Sequence, residues 1–193
     1  MGRPKQFDPE TAVEQAMQVF WRKGYGDTTP QDLVDALGIG KGSLYHAFGS
    51  KHGLFELALR HYGDTQAKAL TDLLAEGEGT VKERLRKGLE LLVEMDLAEP
   101  DRRGCMAVNT ATGLPRADEA ASGLVRGMFA RTEDAFRALV EEGKRSGEIA
   151  PDRDAAAVGS LLLNTVVGLR VTARVADGPD GMRRTIQAVL DLL

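Results

Sequence analysis

The chain reads TPQDLVDALGIGKGSLYHAFGS at residues 29–50. Thr29 is suited to cap a first short helix, and Gly38 is suited to end it. A second short helix follows, in which Leu44 and Phe48 form a buried pair one turn apart. Two short helices joined by a tight glycine turn are the arrangement of a helix-turn-helix, which this stretch therefore predicts.

The exposed face of the second helix is small and polar. Such a face fits the major groove of DNA, and Lys41 can reach a guanine edge or a phosphate there. Tyr45 and Lys51 are placed to contact phosphates. Lys51 lies in the first turn of the next helix, where the free backbone amides also favour anions. No acidic side chain occurs between Ala36 and Phe55. The alternative is that the basic residues are ordinary solvated charges. The predicted DNA contacts are Lys41, Gly42, Ser43, Tyr45, His46 and Lys51.

The bulk composition limits the classes of function. The chain has 193 residues and a formal net charge of −4. This overall charge argues mildly against DNA binding, but a local basic surface on an acidic body can still bind phosphate. A single cysteine excludes an intrachain disulfide and fits a reducing cytoplasm, where we expect the protein. No apolar run approaches the roughly twenty residues of a membrane span, so we expect no membrane partner.

Sequence signatures of enzymes are missing. The three histidines lack HExxH spacing, and no GxGxxG, P-loop or GxSxG motif occurs. We therefore predict no catalytic residue, no metal and no cofactor. A cysteine-based peroxidase or thiol transferase is the best enzymatic alternative. A helical scaffold that binds another protein is the other alternative, and loss of DNA binding in a mobility-shift assay would favour it.

The motifs of residues 7–62 resemble the DNA-binding domain of the TetR family of bacterial regulators. The order and spacing of these motifs match the family throughout, although Gly40 stands where many members have a serine or threonine cap. The resemblance implies that Thr29 and Gln31 touch the DNA backbone, and Arg3 could enter a minor groove as basic arms do. The residues that carry the resemblance are Gly24-Tyr25, Thr28-Thr29, Asp32-Leu33, Leu37-Gly38-Ile39, Lys41-Gly42-Ser43-Leu44-Tyr45-His46, Phe48-Gly49-Ser50-Lys51 and Leu54-Phe55.

The predicted architecture is an all-α fold of about nine helices. The helix-turn-helix domain is placed at residues 1–50, with the family domain extending to about 66, and a helical ligand-sensing and dimerisation domain at 51–193. One helix, the fourth, is expected to run from Ser50 to the glycines near Gly77. The function implied is a repressor that binds a palindromic operator as a homodimer and is released by a small molecule.

The last two helices are expected to pair with those of a second copy, as they do in the family. Small residues let helices approach closely, and apolar residues flank them here. The alternative is that this stripe packs only inside one chain. The predicted interface residues are Leu161, Leu162, Thr165, Gly168, Leu169, Thr172, Met182, Ile186, Val189 and Leu190.

The middle helices are expected to hold the effector. Cys105 follows Arg102 and Arg103 and begins a helix, which favours the reactive thiolate, so its modification is a second route to release. Its segment resembles a Gly-Cys-x-x-x-Asn stretch of one TetR-like subgroup. The alternatives are an inert buried cysteine and a fully packed core. The predicted ligand-binding residues are Leu92, Met95, Cys105, Met106, Asn109, Met128, Phe129 and Leu163.

Overall fold

The computed structural model describes residues 7–114 and 118–193, which form helices and no strand. Arg3 lies outside the described residues. The helices are α1 (Pro9–Lys23), α2 (Pro30–Leu37), α3 (Lys41–Phe48), α4 (Lys51–Asp64), α5 (Gln66–Glu76), α6 (Val81–Ala98), α7 (Met106–Gly113), α8 (Glu119–Ser146), α9 (Ala155–Thr172) and α10 (Asp180–Asp191). The predicted all-α fold with an N-terminal helix-turn-helix is confirmed.

The predicted fourth helix is divided into α4 and α5 at Thr65, which raises the number of described helices to ten. The Thr65 hydroxyl donates to the carbonyl of His61 at 2.7 Å, and the Thr65 amide donates to the same carbonyl at 3.0 Å. Side-chain bonds of this kind compete with regular helix geometry. The periodicity of apolar residues continues across this break, and the sequence pattern therefore did not reveal it.

Helices α1–α4 pack around a small apolar core. Asp8 caps α1 by accepting from the amide of Thr11 at 3.1 Å. Thr29 caps α2 as predicted, and together with Asp32 it forms a capping box. Gly38 ends α2 with φ +62°, a left-handed conformation that suits glycine. Helix α4 packs along α1, so this unit fixes the direction in which α3 faces.

The core of the N-terminal unit continues into the rest of the chain. Met106 of α7 and Ala121, Val125 and Met128 of α8 belong to the same buried cluster as the residues of α1–α4. This shared core means that α7 and the first half of α8 are the support on which the N-terminal unit rests.

A second apolar core lies among α5, α6, α8, α9 and α10. Helix α9 packs most extensively on α8 and also touches α6 and α10. It is the one described helix long and apolar enough to be compared with a membrane span. Because Leu162, Val166 and Leu169 are buried in the core, that apolar character serves the packing of α9 on its neighbours.

The fold reduces the number of predicted dimer-interface residues that a partner could contact. Six of its ten residues are buried in the second core, because α9 and α10 turn their larger apolar side chains toward α6 and α8. These six are Leu162, Leu169, Met182, Ile186, Val189 and Leu190. Leu161, Gly168 and Thr172 are exposed, and Thr165 is half-buried. Only these four remain available on the surface for a partner.

Candidate nucleic-acid interface and internal cavity

Helix α3 is held by one side chain and presents the others. Leu44 has no exposed surface and packs in the N-terminal core. Lys41, Ser43 and His46 are exposed, and Tyr45 is half-buried. A Cβ at Gly42 would meet no described atom within 4 Å outside its own helix, which leaves room for close approach of another molecule. The predicted polar face is therefore available on the surface.

The first turn of α3 lacks a side-chain cap. Gly40 stands at the N-cap position with φ −71° and makes no such bond. The first amides of a helix have no partner within the helix itself. At an exposed helix end these amides can bind water or a phosphate oxygen.

The side chains at the start of α2 already have internal partners. The Thr29 hydroxyl donates to Asp32 Oδ2 at 2.8 Å and accepts from the Asp32 amide at 3.2 Å. Gln31 Nε2 donates to Asp35 Oδ1 at 2.7 Å. Lys23 and the amide and hydroxyl of Thr29 lower the pKa of Asp32 to about 2. Thr29 and Gln31 are predicted to contact the DNA backbone, and both are exposed at the start of α2. Their side chains make these internal hydrogen bonds at the same time.

The ammonium of Lys51 has an internal role that the sequence did not predict. Its Nζ donates to the carbonyls of Tyr25 at 2.8 Å and Thr28 at 2.7 Å, and it lies 4.3 Å from the centre of the Tyr25 ring. Lys51 thus ties α4 to the loop between α1 and α2. An ammonium has three N–H groups, so one remains for a phosphate.

An ionic cluster links α4 to the start of α8. His52 Nδ1 lies 2.9 Å from Glu56 Oε1, and His52 Nε2 lies 2.8 Å from Asp118 Oδ2. Two carboxylates on the two ring nitrogens favour the doubly protonated imidazolium. The hydrogen bond that His52 donates to Asp118 raises the pKa of His52; partial burial opposes this rise, and the charges of both carboxylates support it.

A mostly apolar cavity of about 50 Å³ lies among α4, α5, α6, α7, α8 and α9. Five of the eight predicted ligand-binding residues line it, namely Leu92, Cys105, Met128, Phe129 and Leu163. Pockets for drug-sized ligands hold roughly 300–1,000 Å³. A molecule of that size would therefore enter only if side chains of the wall moved.

The other three predicted ligand-binding residues lie outside this cavity. Met95 is 45% exposed and borders a groove that also touches Trp21 and Leu91. Met106 is buried in the N-terminal core and faces a separate cleft beside α1. Asn109 donates to the carbonyl of Arg103 at 2.8 Å and accepts from Arg174 at 3.0 Å, so its amide holds the loop before α7.

One end of the cavity is polar. Tyr62 Oη donates to Cys105 Sγ at 3.3 Å. Arg170 Nη2 donates to Asp96 Oδ1 at 2.8 Å and to the carbonyl of Gly104 at 3.1 Å. Burial, followed by the neighbouring Cys105, raises the pKa of Tyr62 well above its usual value. Burial also raises the pKa of Asp96, although Arg170 opposes it.

Tyr62 and Arg170 were missed in the sequence, but Arg170 left a signal. It is the only charged residue of α9, a mostly apolar helix of 18 residues. A lone arginine in such a helix points to a buried partner, because a buried charge must be paired. Tyr62 gave no comparable sign, since it fits the apolar stripe of α4.

The guanidiniums of Arg102 and Arg103 are bound away from the thiol of Cys105. Arg102 donates to the carbonyl of Ala173 at 3.0 Å. Arg103 stacks on the Trp21 ring at 3.9 Å and pairs with Glu99. The predicted activation of Cys105 by these two arginines is therefore not supported by their positions. In residues 7–114 and 118–193, no cluster of metal-ligating side chains occurs.

The exposed helix α3 carries no acidic residue and is held in the unit of α1–α4, which is attached to a larger helical body with a cavity. This arrangement defines a helix-turn-helix regulator of transcription. Residues 12–58 match the family model of bacterial regulatory proteins, tetR family. Residues 81–189 match the model of the tetracyclin repressor-like C-terminal domain. The chain belongs to the tetR family of bacterial regulatory proteins, and it is a regulator rather than an enzyme, as the sequence predicted.

Two relatives span nearly the whole chain. The HTH-type transcriptional repressor ComR of Escherichia coli is 30% identical over 173 residues, covering 90% of this chain and 82% of ComR. The uncharacterized HTH-type transcriptional regulator YezE of Bacillus subtilis is 32% identical over 196 residues and covers both chains completely.

A solved structure gives the same fold with DNA bound. A cysteine mutant of the TetR family transcriptional regulator CifR, complexed with 26-base-pair double-strand operator DNA, superposes with a TM-score of 0.86. It is 30% identical and covers 98% of each chain.

Proposed function

We propose that this protein is a repressor that binds a palindromic operator as a homodimer and is released by a small molecule. The observation that carries the proposal is the exposed face of α3, which lies within a stretch free of acidic residues from Ala36 to Phe55 and is anchored by the buried Leu44. ComR is named a repressor, and CifR has been solved on operator DNA. The site of action is the cytoplasm, where bacterial DNA lies.

The residues of the interface divide into two roles. Lys41, Gly42 and Ser43 lie at the start of α3 and read base edges, because the N-terminal part of a recognition helix lies deepest in the groove. Tyr45 and His46 lie further along the helix, toward the DNA backbone. Lys51, Thr29, Gln31 and, beyond the described residues, Arg3 supply contacts that position the protein without reading sequence.

The homodimer forms through the exposed face of α9 together with α10. Leu161, Gly168 and Thr172 lie on the exposed face of α9, beside Val171, which is 49% exposed. Val175 is 84% exposed just beyond α9, and Leu192 is 58% exposed after α10. Exposed apolar side chains of this kind are typical of a protein interface. Twofold symmetry of the protein then matches the inverted repeat of the operator.

The effector is a small, mostly apolar molecule that enters the cavity. Leu92, Phe129 and Leu163 supply apolar wall, and Met128 can adapt its shape to different ligands. Tyr62 and Arg170 supply the polar groups that fix orientation. The small volume implies that binding pushes the wall outward, which gives the ligand a different affinity for the two arrangements of the protein.

Modification of Cys105 is a second candidate route to release. Its thiol lines the cavity, is partly exposed and accepts a hydrogen bond from Tyr62. An electrophile that enters the cavity would therefore reach this sulfur atom. The comparison is DNA affinity before and after treatment with an electrophile, for the wild type and for Cys105→Ser. Equal loss in both proteins would assign the effect to another site.

The test of the whole proposal is selection of bound duplexes from a random pool by the full chain. We expect an inverted repeat bound by two chains, with an affinity that falls steeply with salt because phosphates supply much of the binding. A protein that stays monomeric and enriches no motif would contradict the proposal. Compounds that release the selected duplex would then identify the class of effector.

A further inference from the structure

The carbonyl of Gly104 accepts hydrogen bonds from two sides of the molecule. The indole Nε1–H of Trp21, in α1, donates to it at 2.9 Å. The guanidinium of Arg170, in α9, donates to it at 3.1 Å. Trp21 is buried in the core of the N-terminal unit, whereas Arg170 lines the cavity. One backbone oxygen therefore connects Arg170 in the cavity wall to Trp21 in α1, the first helix of the N-terminal unit.

The surroundings of Gly104 leave this residue little room to move. The residue has φ +63°, and a Cβ there would lie 3.2 Å from the side chain of Arg174 and 3.3 Å from the carbonyl of Arg170. The Trp21 ring is held by Arg103 on one face and meets the Tyr62 ring edge-on, with ring centres 5.0 Å apart. In a close-packed site, a shift of the loop breaks one of these contacts rather than stretching all of them.

The next residue along the chain faces the cavity. Cys105 lines it, and the cavity of about 50 Å³ is too small for a drug-sized ligand unless its wall moves. A molecule that displaces Cys105 also displaces the peptide group that Gly104 shares with it. The carbonyl of that peptide group is the acceptor of the Trp21 bond.

We propose that the hydrogen bond between Trp21 and the Gly104 carbonyl transmits the filling of the cavity to the DNA-binding unit. This inference rests on the proposed function. With the bond in place, α1 is held against the loop before α7, and α3 keeps the orientation that fits DNA. When the cavity fills, Gly104 moves, the indole N–H loses its acceptor, and α1 changes its position relative to that loop. The loop then has two discrete arrangements, which coupling between two sites requires.

The experiment uses alkylation of Cys105 by N-ethylmaleimide as a defined way to fill the cavity. Cys105 is the only cysteine of the chain, so the product carries one adduct at a known place. DNA affinity is measured on the selected duplex before and after alkylation, for the wild type and for Trp21→Phe. The phenylalanine keeps a ring for packing and lacks the N–H. Thr110→Val is the matched control, because it removes a buried hydrogen bond within α7, from the Thr110 hydroxyl to the carbonyl of Met106, without touching Gly104 or the cavity.

We expect alkylation to weaken DNA binding of the wild type and of Thr110→Val by at least about tenfold. In Trp21→Phe the ratio of affinities before and after alkylation should fall below about threefold. An equal ratio in Trp21→Phe and the wild type would overturn the inference, as would an unchanged affinity of the alkylated wild type.

A second readout does not depend on DNA binding. Trp21 is the only tryptophan, so a proton–nitrogen spectrum contains a single indole N–H resonance. Alkylation of the wild type should shift this resonance and speed its exchange with solvent, because the N–H loses its acceptor. An unmoved resonance would overturn the inference even if DNA were released. If the unmodified protein selected no DNA, the proposed function would fail, and the resonance would still decide whether the cavity moves Gly104.

Discussion

Helices α3 and α9 both present an exposed face, but the two faces differ in how far local sequence determines them. Helix α3 has eight residues, of which only Leu44 is fully buried, so its other side chains have few alternatives to the surface. Helix α9 has 18 residues, most of them apolar, and which of its apolar side chains are buried depends on α6, α8 and α10. The exposed face of a short, polar helix can therefore be predicted from its own sequence. The exposed face of a long, apolar helix can be identified only once its neighbours in the fold are known.

The largest expected effect is the difference between alanine substitutions at two neighbouring leucines of α9. Leu162 has no exposed surface, and Leu161 is 43% exposed. Leu162→Ala should lower the free energy of unfolding by about 2–5 kcal/mol, as expected for a cavity in a packed core. Leu161→Ala should instead raise the dissociation constant of the dimer by about tenfold. Urea denaturation and sedimentation at several protein concentrations distinguish the two, and a reversal of the two results would show that α9 is turned the other way.

The next effect concerns Lys51, which was predicted from sequence as a phosphate contact. Lys51→Met removes two hydrogen bonds from an ammonium to loop carbonyls and should lower the free energy of unfolding by about 1.5–3 kcal/mol. DNA affinity should fall for all sequences alike. If the variant keeps its stability and only loses about one unit of the salt dependence, Lys51 is a phosphate ligand without the structural role.

Substitution of Lys41 tests directly whether the exposed face of α3 reads bases. Lys41→Ala should cost about 1–3 kcal/mol of discrimination at one base position of the half-site. The matched control is Lys87→Ala, which removes the same charge from an exposed position on α6. Affinities are measured for each single-base variant of the selected operator. A uniform loss in Lys41→Ala across all variants would show a phosphate contact in place of base reading.

The smallest effect is the pH dependence of the link between α4 and α8. The pKa of His52 is raised above its ordinary value of 6.5, so its contribution to stability is complete below pH 6.5 and is lost as pH rises through the higher folded-state pKa. Partial exposure of the side chain keeps the contribution small. The titration of His52 falls between about pH 6 and pH 8. Over this interval the wild type should therefore lose more stability than His52→Gln. Parallel pH profiles of the two proteins would contradict the ionic link.

The sequence determined the parts of the fold whose signals are local. Thr29 and Gly38 act as the caps that their residue types predict, and they place both ends of α2 correctly. Five of the predicted ligand-binding residues line one cavity because the apolar stripes of the middle helices converge. The division of the predicted fourth helix at Thr65 broke no apolar period and was missed.

The rest depended on contacts between residues distant in sequence. The partners of Arg170 are 74 and 66 positions away, at Asp96 and Gly104. Trp21 reaches Gly104 over 83 positions. The arginines before Cys105 were expected to act on the adjacent thiol, but tertiary packing directs them to α1 and to the end of α9. Adjacency in sequence did not predict adjacency of the functional groups.

The most direct test of the central claim, that α3 reads DNA in the major groove, is protection of the selected operator from dimethyl sulfate. The reagent methylates N7 of guanine, which faces the major groove, and N3 of adenine, which faces the minor groove. We predict that the bound protein protects guanine N7 at two places related by the symmetry of the inverted repeat, and that Lys41→Ala weakens the protection at both. Unchanged reactivity of every guanine N7, with protection confined to adenine N3, would contradict the account.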